Sequence, residues 1–228
     1  MSRGIFPPPR CVTAQSCRRQ DEGVTASYHH GNLREALIAA TEAVIARDGA
    51  AAVTLREVAR VAGVSHAAPY HHFRDKDALI AAVAERGFVE LAEALEGARG
   101  RTPRTRLLAS CDAYEAFARA HPARFAVMFG PVLASGRHPA LAAAAERAFA
   151  ALLAAAQAVS PGRAVDLALA TWSLVHGHAK LALGGALTSV PVPAGATTGP
   201  ASRLGALLLD GVSAPRRAAG IARPRRPG

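Results

Sequence analysis

The stretch from Thr54 to Phe73 constrains the fold more than any other part of the chain. Thr54 and Glu57 have the spacing of a capping box, in which each side chain bonds the free backbone N–H of the other at a helix start. Gly63 stands where a helix ends easily, because glycine tolerates the left-handed conformation. Between these signals, apolar residues at the spacing i, i+3, i+4 and i+7 predict a short helix with one buried face: Leu55, Val58, Ala59 and Ala62.

Two further helix signals follow directly. Ser65 is a good N-cap and predicts a second short helix from His66 to about His72. Asp75 is placed to cap a long third helix from Lys76, with an inner face of Leu79 or Ile80, Val83 or Ala84, Phe88, Leu91 and Leu95. This helix-turn-helix pattern is typical of proteins that bind duplex DNA. On spacing alone, a purely structural helical hairpin explains it equally well.

The order of the residues favours DNA binding. The segment resembles the DNA-binding domain of the tetracycline-repressor-like (TetR) family of bacterial regulators, and residues 28–37 resemble a first-helix start found in one branch of it. Ala67 departs from the usual glycine, and Pro69 from the usual Leu or Ile. Because proline lacks an N–H and crowds the preceding turn, we expect a short, distorted recognition helix. The matching residues are Thr54, Val58, Ala59, Ala62, Gly63, Val64, Ser65, Tyr70, His72, Phe73, Lys76 and Leu79.

Composition predicts an all-α protein. Half of the residues are hydrophobic and many are alanine, whereas aromatic residues make up only 5%. With the resemblance, this gives a three-helix helix-turn-helix DNA-binding domain followed by a C-terminal helical domain for ligand binding and dimerisation. The predicted division is a disordered extension at 1–27, the DNA-binding domain at 28–97 (motif 54–73), the second domain at 98–212 and a disordered Arg- and Pro-rich tail at 213–228.

Helix boundaries follow from periodicity and from proline and glycine. The first helix is predicted at 32–47, with the apolar stripe Leu33, Leu37, Ala40 and Val44. Residues 188–199 are rich in proline, glycine and threonine and predict a loop. The second domain is predicted to hold helices at 104–120, 123–129, 139–158, 161–184 and 200–212.

The basic charge of the chain does not identify the DNA-binding part. The formal net charge is +10, but residues 24–88 carry seven basic and seven acidic side chains. The last sixteen residues hold five arginines and no acidic residue. Those arginines either keep a disordered tail soluble or add nonspecific attraction to phosphates.

Site residues in the first domain are assigned partly by resemblance. It implies phosphate contacts for Thr54, Tyr70 and Lys76, which set register rather than sequence. Packing against Phe73 is an alternative role for Tyr70, and Arg34 is a further candidate for a phosphate contact. His72 is expected in the core. Base edges are expected to be read by residues at the start of the recognition helix and along it: Ser65, His66, Ala67 and His71.

A second resemblance lies near the C-terminus. Trp172, His176 and Gly177 form a W-x-x-x-H-G pattern like that of the WHG-type TetR branch. Trp172 and His176 share a helix face, either as a packing and dimer-interface device or as the border of an inducer pocket. The tentative ligand-binding residues are Phe117, Phe125, Met128, Phe129, Trp172 and His176. Phe149 and Leu153 are further candidate walls, and core packing explains all these apolar residues equally well.

The predicted function is that of a cytoplasmic, ligand-responsive transcriptional repressor. One short recognition helix reads too few base pairs, so a homodimer is expected to place two of them about 34–36 Å apart on a palindromic operator. The predicted dimer face is a four-helix bundle of helices 161–184 and 200–212 with their mates. A small-molecule inducer of unknown identity releases the DNA. The alternative is an architectural or activator dimer without an inducer.

Other function classes find little support. The cysteines Cys11, Cys17 and Cys111 form no C-x-x-C pair, and the histidines lack metal-ligand spacing. The chain has no G-x-S-x-G, H-E-x-x-H or phosphate-binding glycine motif, which makes a small helical enzyme a weak third alternative. The apolar runs 139–159 and 165–187 contain charged residues. We therefore expect no enzyme activity, cofactor, metal site or membrane span.

Overall fold

The computed structural model describes residues 30–189 and 200–213. Within these ranges the chain forms α-helices and 3₁₀ helices and no strand, which confirms the all-α prediction. The predictions for residues 1–27, 190–199 and 214–228 lie outside the described residues. The α-helices are α1 (His30–Asp48), α2 (Leu55–Ala62), α3 (Lys76–Gly97), α4 (Pro103–Ala120), α5 (Pro122–Met128), α6 (Pro131–Ala134), α7 (Pro139–Val159), α8 (Ala164–Leu183), α9 (Ala186–Ser189) and α10 (Ala201–Ser213).

The N-terminal head is built from α1, α2 and the first half of α3. The predicted stripe of α1 is buried apart from Leu33, and that of α2 is buried apart from Ala62; both of these are partly buried. Phe73 is buried below the turn, and the guanidinium of Arg34 lies over its ring at 5.6 Å. The head therefore buries the helix faces that periodicity predicts, and its core continues into that of the following helices.

The start and end of α2 match the sequence signals only in part. Thr54 Oγ1 accepts a hydrogen bond from the Glu57 N–H at 3.1 Å, and Gly63 ends the helix in the left-handed region with φ of 70°. The second half of the predicted capping box does not form. The Glu57 carboxylate instead accepts bonds from Arg47 and Arg60, each at 2.7 Å. These charge-assisted bonds are stronger than one to a neutral backbone N–H.

The C-terminal part is organised around α7, which packs against α3, α4 and α8. Its length and apolar composition would suffice to cross a membrane, but its inner face lies in the core. The long helix α3 serves both parts of the molecule. Leu79 and Val83 are buried near its start, and Phe88, Leu91 and Leu95 are buried further along, where α3 packs on α7. One rigid element therefore links the head to the second domain.

Two carboxylates of α4 fix the start of α10. Asp112 Oδ1 accepts a hydrogen bond from the Ser202 N–H at 2.8 Å, and Glu115 Oε2 accepts one from the Ala201 N–H at 2.9 Å. Negative groups are favourable at the positive end of a helix. This cap holds α10 on α4 and α8. Residues 186–189, of which the last two fall in the predicted loop, form the short helix α9.

Candidate DNA-binding surface and apolar cavity

The segment predicted to read the bases, residues 66–71, is called the reading element. It is shorter and tighter than the predicted recognition helix. Only Ala68–His71 is helical, as a 3₁₀ turn, whereas His66 and Ala67 lie in the turn before it. The Ser65 side chain does not cap it; the Ser65 carbonyl accepts a bond from the Ala68 N–H at 3.0 Å. The cause is Pro69, which supplies no N–H to the usual helical ladder. The expected distortion of this element is therefore present, and it is larger than a kink.

The side chains predicted to read bases all reach the surface. Ser65, His66, Ala67 and His71 are exposed, and Tyr70 is 62% exposed. The prediction that His72 is a core residue is wrong, because His72 is exposed and the neighbouring Phe73 takes the inward position. Tyr70 accordingly points its phenol to solvent rather than into the core of the head.

The predicted phosphate contacts have partners of their own in the free protein. Thr54 is exposed while its hydroxyl caps α2. Lys76 Nζ donates to the Ala51 carbonyl at 2.9 Å, which ties the start of α3 to the turn before α2. An ammonium has three donors, so this bond leaves two for a phosphate. Arg34 is exposed and also pairs with Glu35 at 3.5 Å.

Arg56 is a candidate DNA contact that sequence reasoning missed. It lies in the first turn of α2, two residues after Thr54, and its side chain is exposed. Arg47, Arg60 and Arg74 are held by carboxylates, whereas no residue of the described chain pairs with Arg56. The sequence signal for this contact is an arginine in the first turn of a helix whose N-cap residue, Thr54, is predicted to contact a phosphate.

An apolar cavity of about 70 Å³ lies inside the second domain. Helices α3, α4, α7 and α8 form most of its wall, and α6 and the residue after α5 close it. The wall contains no charged side chain. Its residues are Phe88, Leu91, Leu95, Tyr114, Phe129, Leu133, Ala145, Ala148, Phe149, Leu152 and Trp172.

The tentative ligand-binding residues divide between this wall and the core behind it. Phe129 and Trp172 line the cavity, with ring centroids 5.8 Å apart. Phe125, Met128 and Phe117 are buried but do not line it, because their helix faces point to other neighbours. Phe149, the further candidate from α7, does line it, and Leu153 does not.

His176 lies one layer behind the wall. Its Nδ1 shares a hydrogen bond of 2.9 Å with the Tyr114 hydroxyl, and its ring is 4.5 Å from that of Phe129. Burial and the nearby Lys180 ammonium lower the pKa of His176, so the imidazole is neutral at physiological pH. Burial raises the pKa of Tyr114. The pair therefore supplies a neutral hydrogen bond to the cavity wall and no charge.

Ion pairs connect the head to the second domain. Arg124 of α5 bonds Glu42 of α1 at 2.9 and 3.1 Å and also pairs with Glu90 of α3. The Arg124 side chain is only 14% exposed. Arg137, before α7, bonds Asp77 in the first turn of α3 at 2.6 Å. These ion pairs attach α5 and the segment before α7 to α1 and α3.

We expect Arg124→Gln to lower the free energy of unfolding by about 1–3 kcal/mol, because it removes the closest cation from two partly buried carboxylates, Glu42 and Glu90. Their remaining contacts, to Arg86 and His121, are longer at 3.7 Å. The matched control is Arg147→Gln. Arg147 makes an equally short two-bond pair with Glu96, but both side chains are 45% exposed, so the expected loss is below about 1 kcal/mol. Urea unfolding measures both. Equal losses of stability in the two variants would contradict the inference that burial makes the ion pairs of Arg124 more stabilising than the exposed pair of Arg147 with Glu96.

These features together define a class of protein. It has a helix-turn-helix head with an exposed reading element, and one helix joins this head to a helical domain with an apolar cavity. In the described residues, no group of three or more His, Cys, Asp or Glu side chains is placed to hold a metal ion.

Residues 37–83 match the model of bacterial regulatory proteins of the tetR family, and residues 107–214 match that of the tetracyclin repressor-like C-terminal domain.

Solved structures agree with these matches. A protein with unknown function from Rhodococcus sp. RHA1 is 34% identical, with a TM-score of 0.66 over 81% of this chain and 95% of its own. A transcriptional regulator from the same organism is 26% identical, with a TM-score of 0.61 over 78% of this chain and 96% of its own. The TetR family regulator PfmR from Thermus thermophilus shares the fold at 18% identity, with a TM-score of 0.57 over 76% of this chain and 94% of its own.

No curated protein sequence matches the chain. The two family models nevertheless match residues 37–83 and 107–214, and the 34% identical structure covers 81% of the chain. The chain belongs to the TetR family of transcriptional regulators, and it is a DNA-binding regulator.

Proposed function

We propose that the protein is a cytoplasmic, ligand-responsive repressor that binds a palindromic operator as a homodimer. The observation that carries this proposal is the course of α3. It starts at Lys76, directly after the reading element, and its residues Phe88, Leu91 and Leu95 then form part of the cavity wall. A molecule that moves this wall also moves the reading element. The cavity therefore favours a ligand-responsive regulator over the architectural or activator dimer without an inducer.

The ligand acts only through a difference in affinity. The ligand lowers operator affinity if it binds more tightly to a conformation in which the two reading heads are out of register with the two half-sites. Operator binding then lowers the affinity for the ligand by the same factor. The contact of Arg137 with Asp77 and that of Lys76 with Ala51 hold the start of α3 in one position. A tilt of α3 must change at least one of them.

The exposed apolar residues support a dimer through α8 and α10. Six large apolar side chains are exposed in the part of the chain that the structure describes. One is Tyr70 in the reading element, and the others lie on these two helices: Val165, Leu169, Leu181, Leu183 and Leu207. On α8, Val165, Leu169 and Leu183 share one helix face, and an exposed apolar face is typical of a protein interface. Gly177 faces open space on α8, where a helix of a second copy has room to approach.

Selection of random duplex DNA with the purified protein tests the proposal. We expect a palindrome with half-sites about one helical turn apart, and a copy of it beside the protein's own promoter. Recovery of a single half-site or of no common sequence would argue against the dimeric repressor.

Single substitutions separate phosphate contacts from base contacts. We expect Lys76→Ala to weaken binding to all sequences alike and to lower the slope of log affinity against log salt by about one per reading head. His66→Ala is expected to change the selected sequence, at a cost of about 1–3 kcal/mol per lost base contact. Arg56→Ala should behave like Lys76→Ala. Arg101→Ala, which removes an exposed cation before α4, is the control. An unchanged preference in His66→Ala contradicts its base-reading role.

A further inference from the structure

The apolar cavity restricts the chemistry of the molecule that fills it. We propose that the effector is a small, uncharged, predominantly apolar molecule, about the size of a single aromatic ring, bound between α3, α7 and α8. This inference rests on the proposed function, and it adds the class of ligand. It stands on the lining residues and on the hydrogen bond of Tyr114, and the volume of the cavity sets an upper limit on the size of the ligand.

The lining excludes a charged ligand. The eleven wall residues are aliphatic or aromatic, and the two with polar atoms are Tyr114 and Trp172. The ammonium of Lys180 lies over the Phe125 ring at 5.6 Å, but Lys180 does not line the cavity. An ion inside would lose its hydration without gaining a counter-charge, which is strongly unfavourable.

The Tyr114 hydroxyl at the wall already has a partner, because it bonds His176 Nδ1 at 2.9 Å. The only other polar side-chain group among the lining residues is the Trp172 indole N–H, so a ligand meets few polar groups. It meets ring edges and faces, because Phe88 and Phe129 pack edge to face at 5.1 Å and Phe149 lies 5.9 Å from Trp172. An aromatic ring fits such surroundings.

Size sets the second limit. An apolar cavity of about 150 Å³ holds one benzene molecule, whereas this cavity, which is partly open to solvent, has a volume of about 70 Å³. A single ring therefore enters only if the wall gives way. Leu133 and Phe149 are partly buried wall residues, and we expect such a movement to involve their side chains. The opposite wall of the cavity is formed by α3, so a displacement of this wall also moves the reading element that precedes α3.

Trp172 reports binding directly, because it is the only tryptophan of the chain and lines the cavity. Its fluorescence is followed in the full-length protein with three probes that share one ring: toluene, benzoate and benzylammonium. We expect toluene to give a saturable change and the two charged probes to bind at least roughly 100-fold more weakly. Equal binding of the neutral and charged probes would overturn the proposal.

Two alanines of α7 locate the site. Ala148 is 4% exposed and lines the cavity, whereas Ala154 on the same helix is exposed. We expect Ala148→Leu to abolish the toluene response and Ala154→Leu to retain it. Leu152→Ala, which enlarges the cavity, should tighten the binding of p-xylene and keeps the test decisive if Ala148→Leu fails to fold. An unchanged response in a folded Ala148→Leu, or no gain for p-xylene in Leu152→Ala, would place the ligand elsewhere and overturn the proposal.

Operator release is measured separately, by the same probes on the protein–DNA complex. Saturable toluene binding without release supports the class of ligand and contradicts the ligand-responsive repressor. Release by benzoate or benzylammonium, with no response to toluene, overturns the class of ligand and leaves the repressor standing.

Discussion

Phe125→Ala is expected to lower the free energy of unfolding by about 3–5 kcal/mol. Phe125 is 1% exposed and heads the fully buried side chains by volume. Its ring lies between those of Tyr114, Phe129 and His176, with centroids 6.0, 5.7 and 5.2 Å away. Removing it leaves a hole between α4, α5 and α8 that packed helices cannot close. The loss is large beside the roughly 5–15 kcal/mol typical of whole domains.

Urea unfolding at one fixed protein concentration measures this loss, because a dimer makes stability depend on concentration. Two variants provide the controls. Phe125→Leu keeps most of the buried volume and should cost about 1–2 kcal/mol. Phe149→Ala makes the same deletion at a partly buried ring on the cavity edge, and it should cost less than Phe125→Ala. A loss in Phe125→Ala no greater than that in Phe149→Ala would contradict the central place of Phe125 in the core.

The helices themselves were largely predictable because their signals are local. Pro122 and Pro139 stand at the starts of α5 and α7, where their missing N–H groups cost nothing, and the predicted ends of α4, α5 and α7 agree with the structure to within one residue. Pro161 instead begins a short 3₁₀ turn, so α8 starts at Ala164 and not at the predicted residue 161. The inner face of α3 was equally clear from its period. Signals of this kind need only the neighbouring residues, so a single sequence contains them.

The reading element shows where local signals compete. Ser65 and the following residues indicated a helix, but Pro69 removed one donor and the chain settled into a 3₁₀ turn. Glu57 had the correct spacing for a capping box, yet Arg47 reached it from a different helix. Which bond forms depends on a partner ten residues away, and spacing along one helix does not contain that information.

The cavity wall was only partly predictable for the same reason. Periodicity indicates which face of α4 or α5 is apolar, but it does not say whether that face meets a helix or an empty space. Phe125 lies in α5 and Phe129 directly follows this helix, and Phe129 lines the cavity while Phe125 fills the core. The difference is set by Trp172 and Tyr114, which approach from α8 and α4. Similarly, Gly87 lets Met128 come so close that a Cβ there would lie 2.6 Å from the sulfur.

The double substitution Leu169→Asp with Leu207→Asp is expected to convert the protein to monomers and to lower operator affinity at least about 100-fold. Leu169 of α8 is 44% exposed, and Leu207 of α10 is 68% exposed. Their replacement costs a single chain little, because both side chains already meet solvent. In a dimer the four new carboxylates would be buried without partners. Two heads on one molecule bind far more tightly than two separate ones, typically by about 10²–10⁴.

Light scattering gives the mass in solution, and binding to the selected palindrome gives the affinity. The matched control is Ala126→Asp with Ala154→Asp, which adds the same charges at exposed positions of α5 and α7. We expect the control to remain a dimer with nearly full affinity. The Leu variant should show the single-chain mass of 23.5 kDa and should bind a half-site about as well as the palindrome. A dimeric Leu variant with full operator affinity would place the interface on other helices, because no dimer tolerates four unpaired carboxylates at its centre without a loss of affinity.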